Sequence, residues 1–480
     1  MKSICIFILS LISTQTIAQD SLARQFSQII NKEDLKAHLT KFSSDAFEGR
    51  EAGRLGQRLA GTYLANMFEK YGIEKYKDST YFQRFSFEEK RISSAYIKID
   101  SAELKSNKDF YLIPRYRVPK KHTIGKPNVI KPEVFLNSDS LLEGKEWTVY
   151  LEMDKNLEEH IRKLRLILRH GIRAKAKTTL LVVSNIDSIK SILKDEWEHS
   201  QNQLSSLSEK TENEYLALLF SKEQYQKYIG KLKSSKKDSA SFYTTWNKKT
   251  FYTENIIGFV HGNKYANEYI VISAHYDHMG KKGNQIYNGA DDDGTGTMGI
   301  LLIAKAISEA KKNGVVFDKH FVFIGMSAEE KGLLGSRYYT ENPFIPLERT
   351  CTNLNIDMIG RTDMLKHEKT NYLYIIGSNM IDTALHNVNH LANEQYSKLY
   401  LDYRFNNTSD PNQFYYRSDH YNFAKNNIPV IFYFRGVHED YHKPSDTVDK
   451  IEWDIYTKIT KHIFYTAWTI GRSPKILSID

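Results

Sequence analysis

Three short polar runs between residues 270 and 330 constrain this chain most, because each follows or adjoins an apolar stretch. The runs are Ala274-His275-Tyr276-Asp277-His278-Met279-Gly280, Gly289-Ala290-Asp291-Asp292-Asp293-Gly294-Thr295-Gly296 and Met326-Ser327-Ala328-Glu329-Glu330-Lys331-Gly332. Residues 269–274 and 321–325 are rich in β-branched and aromatic residues and too short for helices, which predicts buried strands. The apolar spacing of residues 297–310 predicts a helix between them. The polar runs therefore fall where strands end and helices begin, which is where open α/β sheets bind ligands.

The residue types in these runs are the ones that a zinc-like divalent metal binds, imidazole nitrogen and carboxylate oxygen. Several carboxylates in one small site would repel one another unless cations neutralised them. Each run taken singly has an ordinary explanation, such as acidic residues 291–293 at a helix N-terminus. All three runs in order at strand ends favour a metal site. The sequence has no CxxC pair and no Walker loop, and residues 325–329 lack the second glycine of a nucleophile elbow.

The first residues predict export. Met1-Lys2 is positive, residues 4–12 are apolar, and Thr16-Ile17-Ala18 ends in a small residue. This pattern predicts a signal peptide over residues 1–18, and we expect a periplasmic or secreted protein. Because the apolar run is too short to span a bilayer, we expect no stable membrane insertion. Only Cys351 remains after cleavage, so no intrachain disulfide can form.

The basic charge of the chain is concentrated in one segment. Residues 91–250 hold 30 Lys and Arg against 20 Asp and Glu, a balance of +10, whereas the whole chain carries +9. No nucleic-acid-binding motif accompanies this charge, so we predict no nucleic-acid partner. The segment has no cluster of potential ligands, although it includes strand-like and helical stretches. We therefore predict three parts after the signal peptide: an N-terminal catalytic part at 19–90, an inserted α/β lid domain at 91–250, and the catalytic domain at 251–480.

Seven motifs, taken together and in order, resemble the co-catalytic di-zinc aminopeptidases of clan MH, which are zinc exopeptidases like the leucyl and bacterial aminopeptidases. The motifs are Glu48-Gly49-Arg50-Glu51-Ala52-Gly53, His275-Tyr276-Asp277, Asp291-Asp292-Asp293-Gly294-Thr295-Gly296, Glu329-Glu330, Asn355-Ile356-Asp357-Met358-Ile359-Gly360, Ser418-Asp419-His420, and Tyr441-His442 ahead of Ser445-Asp446-Thr447. The resemblance implies an α/β fold with a mixed, mostly parallel sheet sandwiched by helices. Residues 144–183 of the insert resemble a protease-associated domain.

The resemblance also implies a metal-ligand set for two zinc ions per chain. His275 and Asp357 resemble the ligands of one ion, and Glu330 and His442 those of the other. Asp292 resembles the bridging carboxylate, which suits metals about 3.5–4 Å apart. A cis peptide bond is implied between Asp292 and its successor.

Three further residues receive catalytic roles from the resemblance. Glu329 would be the general base, taking a proton from the attacking water and returning it to the leaving amine. Asp277, on the same strand face as His275, would hold the second imidazole nitrogen. Tyr441 would stabilise the oxyanion. Three other histidines are interpreted as structural or surface residues: His278, His420 and His438.

These observations predict an exported di-zinc metallo-aminopeptidase that acts on peptides with a free N-terminus. They do not determine how many copies of the chain associate. One alternative is a glutaminyl-peptide cyclotransferase of the same fold, against which the five-ligand set with its bridging aspartate argues. Another is a non-catalytic binding ectodomain that has lost its metals, against which the retained ligands and Glu329 argue. Other hydrolases of this fold, including carboxypeptidases, stay open.

Overall fold

The chain forms two units in the computed structural model, Met1–Ser86 with Phe251–Asp480, and Phe87–Thr250. The structure describes residues 21–76, 79–113, 118–152, 157–184, 186, 189, 204–206, 215–232, 239–365 and 370–473. The predicted signal peptide at 1–18 lies outside the described residues.

Helices and strands alternate along most of the chain. The α-helices are α1 Lys32–Phe42, α2 Leu55–Lys70, α3 Pro132–Leu136, α4 Asp139–Leu142, α5 Leu157–Arg173, α6 Lys222–Tyr228, α7 Gly296–Lys312, α8 Leu334–Glu341, α9 Thr383–Ala392, α10 His420–Ala424 and α11 Trp453–Gly471. The strands are β1 Glu74–Lys75, β2 Phe82–Ile99, β3 Ala102–Lys105, β4 Tyr111–Leu112, β5 Lys121–Ile124, β6 Asn128–Ile130, β7 Glu146–Leu151, β8 Thr178–Val183, β9 Leu204–Ser206, β10 Leu216–Ser221, β11 Ala240–Val260, β12 Tyr269–His275, β13 Gly280–Lys282, β14 Gln285–Tyr287, β15 His320–Met326, β16 Thr350–Ile356, β17 Tyr372–Ile376, β18 Tyr400–Asp402 and β19 Val430–Phe434.

The first unit is built on a mixed sheet with the strand order β18-β17-β19-β16-β12-β15-β11. The central neighbours β19, β16, β12 and β15 run parallel, whereas β17 pairs antiparallel with β19, and β11 with β15. The prediction of a mixed, mostly parallel sheet between helices is confirmed for this unit. Because parallel strands are buried on both faces, they appear in the sequence as continuous apolar runs.

The side chains of β12 show how the two faces of this sheet are filled. Ile270 and Ile272 belong to the core on the side of α7 and α11, whereas Val271 packs in the core on the opposite side. All three are fully buried, and each such side chain contributes about 1.5–3 kcal/mol relative to exposure. This double burial fixes the register of β12 and therefore the place where His275 ends it.

The helix that follows the acidic run begins at a side-chain cap. The Asp293 carboxylate accepts a hydrogen bond from the backbone N–H of Gly296 at 2.8 Å, which satisfies one donor of the first turn of α7. Lys311 and Lys312 lie in its last turn, where positive charge offsets the helix dipole. The predicted helix at 297–310 is thus confirmed and slightly longer.

The second unit has its own five-stranded sheet, ordered β4-β10-β8-β7-β6. Strands β10, β8, β7 and β6 run parallel, and β4 pairs antiparallel with β10. Leu164 and Ile167 of α5 pack with Val149, Leu181 and Leu219 on one face of this sheet. The unit is therefore an α/β structure with a separate core.

Among the described helices, none combines the length and the apolar character needed to cross a bilayer.

Candidate metal centre and active site

Three neighbouring parallel strands deliver acidic and imidazole side chains to one edge of the sheet. His275 is the last residue of β12, Asp357 directly follows β16, and Glu329 lies three residues after the end of β15. Since the three strands run in the same direction, their carboxyl ends meet at this edge. The sheet topology therefore brings together residues that are up to 82 positions apart in the sequence.

The first cluster contains His275, Glu329 and Asp357. The Nε2 atom of His275 lies 3.6 Å from Asp357 Oδ1 and 3.9 Å from Glu329 Oε2. Asp357 is oriented by Ser418, whose hydroxyl donates to Oδ2 at 2.8 Å and leaves Oδ1 free to face the histidine. This arrangement leaves one nitrogen and several carboxylate oxygens directed at a common point.

The second cluster contains His278, Asp292 and Glu330, with His442 beside them. Glu330 Oε1 lies 2.9 Å from His278 Nδ1, and its Oε2 lies 3.1 Å from His442 Nε2. The sequence analysis gave His278 no ligand role, yet it lies inside this cluster. Its position three residues after His275, in the same polar run, is the signal that could have identified it.

Asp292 connects the two clusters. Its Oδ1 atom lies 3.2 Å from Nε2 of His275, and its Oδ2 atom lies 3.3 Å from Nε2 of His442. The two oxygens of one buried carboxylate thus face histidines of different clusters. The peptide bond from Asp292 to Asp293 is cis, as the resemblance implied.

Buried polar atoms without hydrogen-bond partners show that these residues fit a bound metal. Within the described part of the chain, such atoms include Asp292 Oδ2, Glu330 Oε1, Asp357 Oδ1 and both ring nitrogens of His278. Unsatisfied buried polar atoms cost about 1–3 kcal/mol each, so their convergence needs an explanation. Imidazole and carboxylate donors together are the ligand set of zinc.

The protonation behaviour of the site shows the same crowding of negative charge. Burial disfavours the His442 imidazolium, but Glu330 and Asp292 outweigh it and raise the pKa of His442 to about 11. Burial also raises the pKa of Glu329 well above its usual range, with Glu330 among the contributors. A cation bound between the carboxylates would replace the protons that the site otherwise holds, because metal ligands bind in the deprotonated form.

Asp277 contacts two residues of the first cluster, although in a different way from the predicted one. Strand β12 ends at His275, so the same-face argument for a strand does not apply to Asp277. Its backbone carbonyl lies 3.1 Å from His275 Nδ1, whereas its carboxylate is 4.0 Å away and accepts from the Glu329 backbone N–H at 3.1 Å. Burial raises the pKa of the Asp277 carboxyl to about 7. Asp277 thus positions the histidine through its carbonyl and the glutamate loop through its side chain.

Tyr441 and His442 come from a loop before α11. Their rings stack with centroids 3.8 Å apart, which places the phenol beside the second cluster. Burial, Asp292 and Glu330 raise the pKa of Tyr441 well above its usual range, while Arg417 opposes them. The phenol therefore stays protonated at neutral pH and can donate a hydrogen bond.

The run His438-Glu439-Asp440-Tyr441-His442 matches the HExxH pattern, which the sequence analysis overlooked. That pattern binds zinc when both histidines share one face of a helix, and here the run is not helical. His438 Nε2 instead lies 3.3 Å from Asp291 Oδ2, and only His442 reaches the second cluster. His420 is buried and stacks on Phe432, with ring centroids 4.7 Å apart.

Two residues from the recognised motifs hold the backbone of the acidic run. The Asp446 carboxylate accepts hydrogen bonds from the N–H groups of Asp291 at 3.0 Å and of Asp292 at 3.1 Å. The buried Arg50 guanidinium donates to the carbonyls of Tyr276 at 2.9 Å and Gly289 at 2.8 Å. Sequence reasoning gave neither residue a role, because both act on backbone atoms that only the folded chain brings near.

We expect Arg50→Met to destabilise the first unit by about 3 kcal/mol, because several buried carbonyls would lose their donor at about 1–3 kcal/mol each. Burial lowers the pKa of Arg50 to about 10, so its guanidinium is charged at neutral pH. Urea denaturation measures the effect. Arg54→Met is the matched control, since Arg54 lies above the Phe251 ring and is half-buried. Equal stabilities of the two variants would contradict the role of Arg50.

The two clusters open into a cleft that encloses about 360 Å³, part of it continuous with solvent. Its lining includes polar residues of both clusters and a set of apolar residues. The apolar lining consists of Met358, Phe414, Phe432, Phe434 and Val437. A ligand in the cleft would thus contact both charged and apolar side chains.

Comparison with known proteins confirms the family resemblance. Residues 255–467 match the sequence model of peptidase family M28. Aminopeptidase Y of Saccharomyces cerevisiae is 30% identical over 237 residues, which are 46% of this chain and 39% of that protein. The chain spans less than half the length of the curated relatives that we compared with it.

Solved structures share the fold. An aminopeptidase from Aneurinibacillus sp. strain AM-1 superposes with a TM-score of 0.57 at 19% identity, covering 95% of this chain and 98% of that one. BSAP, a zinc aminopeptidase from Bacillus subtilis, gives a TM-score of 0.51 at 16% identity, covering 92% and 96%.

Proposed function

We propose that this chain, whose residues 255–467 match the model of peptidase family M28, is a di-zinc metallo-aminopeptidase that removes N-terminal residues from peptides. The observation that carries the proposal is the placement of Asp292. One carboxylate oxygen faces His275 and the other faces His442, so a single side chain can serve two metal positions.

The remaining ligands follow from their distances to Asp292 and to each other. His275 and Asp357 would hold one zinc ion, and Glu330 and His442 the other. His278 faces the same carboxylate, with its Nδ1 atom 2.9 Å from Glu330 Oε1, and would help to hold Glu330 in place. When bound, the zinc ions supply Lewis-acid activation of water and of the scissile carbonyl.

Glu329 is the proposed general base. It lies at the first cluster, and its backbone is fixed by the hydrogen bond to Asp277. A buried carboxylate beside the first cluster can accept a proton from the attacking water. The same group then returns the proton to the leaving amine, which completes the cycle without any other acid.

Tyr441 is the proposed oxyanion donor. Its ring lies against His442 and lines the cleft, and its raised pKa keeps the hydroxyl protonated. A donor placed at the site where negative charge develops stabilises the tetrahedral transition state more than the substrate.

Recognition of the free N-terminus follows from the charge of the cleft. Glu329 lines it and is not assigned to a zinc ion, so its negative charge would attract an α-ammonium group and repel a carboxylate. The apolar lining would receive the side chain of the N-terminal residue.

N-terminal acetylation of a peptide should abolish its cleavage, because it removes the charge that the carboxylates recognise. The test compares free, acetylated and N-terminal glutaminyl forms of one peptide by mass spectrometry. Equal cleavage of the acetylated form would indicate an endo- or carboxypeptidase. Cyclisation of the glutaminyl form without cleavage would indicate the cyclotransferase, and binding without turnover a non-catalytic protein.

The proposal includes export and a lid. Residues 1–18 would be removed during export, and an N-terminus starting at Gln19 in the mature protein would support this.

Residues 91–250 would act as a lid that restricts the site to chain ends. Deleting this segment should then allow cleavage within longer peptides.

A further inference from the structure

The cleft is lined by a cation as well as by carboxylates. Arg417 lines it together with Glu329 and Asp357, and is the one cleft-lining residue in the described chain whose side chain is permanently positive. It follows the short 3₁₀ turn Phe414–Tyr416, and its guanidinium lies 4.9 Å from the centroid of the Phe414 ring. Contact with the ring leaves the N–H donors of the guanidinium available for other acceptors.

These donors have no acidic partner within the described ranges. Other arginines of the same unit are paired, for example Arg361 with Asp440 at 2.8 Å and Arg404 with Asp402 at 2.7 Å. Arg417 forms no such ion pair in the described structure, and its side chain is exposed. An unpaired guanidinium on the wall of a reaction cleft has the donor geometry that matches a carboxylate.

The charges of the cleft lining complement a short peptide. The metal-site carboxylates suit an α-ammonium group, the apolar lining suits a side chain, and Arg417 suits a negative group of the same ligand. A dipeptide or tripeptide carries its α-ammonium group and its terminal carboxylate close together, whereas a long peptide has its terminal carboxylate far from its N-terminus.

We propose that Arg417 forms a carboxylate-binding subsite that favours substrates with a negative group close to the scissile bond. This inference rests on the proposed aminopeptidase function and names its substrate class. The carboxylate is either the C-terminus of a short peptide or the side chain of an aspartate or glutamate. Both sources present the same planar acceptor, and the experiment separates them.

The experiment measures kcat/KM of the zinc-loaded protein for matched substrate pairs. The first pair is leucyl-alanine and its C-terminal amide. The second set consists of amidated dipeptides with glutamate or glutamine at either position. In Arg417→Gln, the ratio of kcat/KM for the charged substrate to kcat/KM for its neutral counterpart should fall by about 10-fold or more in at least one of these comparisons. This is the effect expected for the loss of a charge-assisted hydrogen bond. Arg417→Lys should retain part of it, because the charge remains without the planar fork.

Arg349→Gln is the matched control. Arg349 also lies over an aromatic ring, 5.1 Å from the centroid of Tyr269, but it precedes β16 at the opposite end of the strand from Asp357. Its substrate ratios should equal those of the wild type. A fall in the first ratio identifies the terminal carboxylate as the ligand, and a fall in the second identifies an acidic side chain.

Two outcomes for Arg417→Gln would overturn the subsite. One is a change of less than about 2-fold in every kcat/KM ratio of charged to neutral substrate. The other is an equal loss of kcat/KM for charged and amidated substrates, which would mean that Arg417 only balances the charge of the site. If the wild type turns over no substrate, the proposed function fails, but calorimetric titration with leucyl-alanine and its amide still tests the subsite. Weaker binding of the acid alone in Arg417→Gln would then support it, and equal binding would reject it.

Discussion

Replacement of Glu329 by glutamine should lower kcat by about 10²- to 10⁴-fold, the range expected for the loss of a general base. The substitution keeps the shape of the side chain and removes its ability to accept a proton. Because the hydrogen bond to Asp277 comes from the backbone N–H of residue 329, the loop that holds Glu330 should stay in place. Zinc content should therefore stay near that of the wild type.

Steady-state kinetics with a leucyl anilide and metal analysis of the same preparation measure the two quantities. Glu309→Gln serves as the control, since Glu309 lies on α7 with 37% of its side chain exposed and should leave both unchanged. The geometry allows one clear alternative, because Glu329 lies within the first cluster of possible ligands. Loss of zinc together with activity would make Glu329 a ligand, and near-normal turnover would leave it without either role.

Asp292→Ala should weaken both metal positions at once and lower activity by more than about 100-fold. Changes to residues that merely orient a ligand already cost about 10–100-fold in affinity or activity, and Asp292 is the carboxylate that faces both His275 and His442. Zinc titration of the metal-free wild-type protein should show two sites, matching the two clusters. In Asp292→Ala, both sites should bind zinc more weakly than in the wild type.

Asp318→Ala is the control for this experiment. Asp318 lies just before β15, at the end of that strand remote from Glu329, where its carboxylate accepts from Asn263 at 3.0 Å. Zinc binding and activity should be those of the wild type. A wild-type protein that is fully active with a single zinc ion would contradict the shared-ligand arrangement and would favour the cyclotransferase alternative.

The sheet of the first unit could be predicted from sequence because its strands are short, apolar and bounded by polar runs. Residues 269–274 and 321–325 are one residue shorter at one or both ends than β12 and β15. The pairing order could not be read in the same way. Burial on both faces gives every central strand a similar apolar composition, so nothing local indicates that β12 lies between β16 and β15.

The candidate site shows the same division between local and long-range information. The run from His275 to Gly280 was visible as a potential metal site, but His278 was set aside because a single histidine has no local mark of ligation. Its role depends on Glu330, 52 residues later, which lies 2.9 Å from it only in the folded chain. Asp277 was assigned through strand periodicity, and the early end of β12 changed which of its atoms contacts His275.

The sequence by itself determined the chemical types at the site and the order along the chain of the strands that carry them. It also determined the family to which this region is similar, since all of these depend on local composition and motif order. Only the tertiary structure decided which oxygen of Asp292 faces which histidine, that Arg50 and Asp446 hold the acidic run, and that Arg417 lines the cleft. The physical reason is that these contacts join segments far apart in the chain. Their geometry is set by the packing of the whole unit, so no short stretch of sequence contains it.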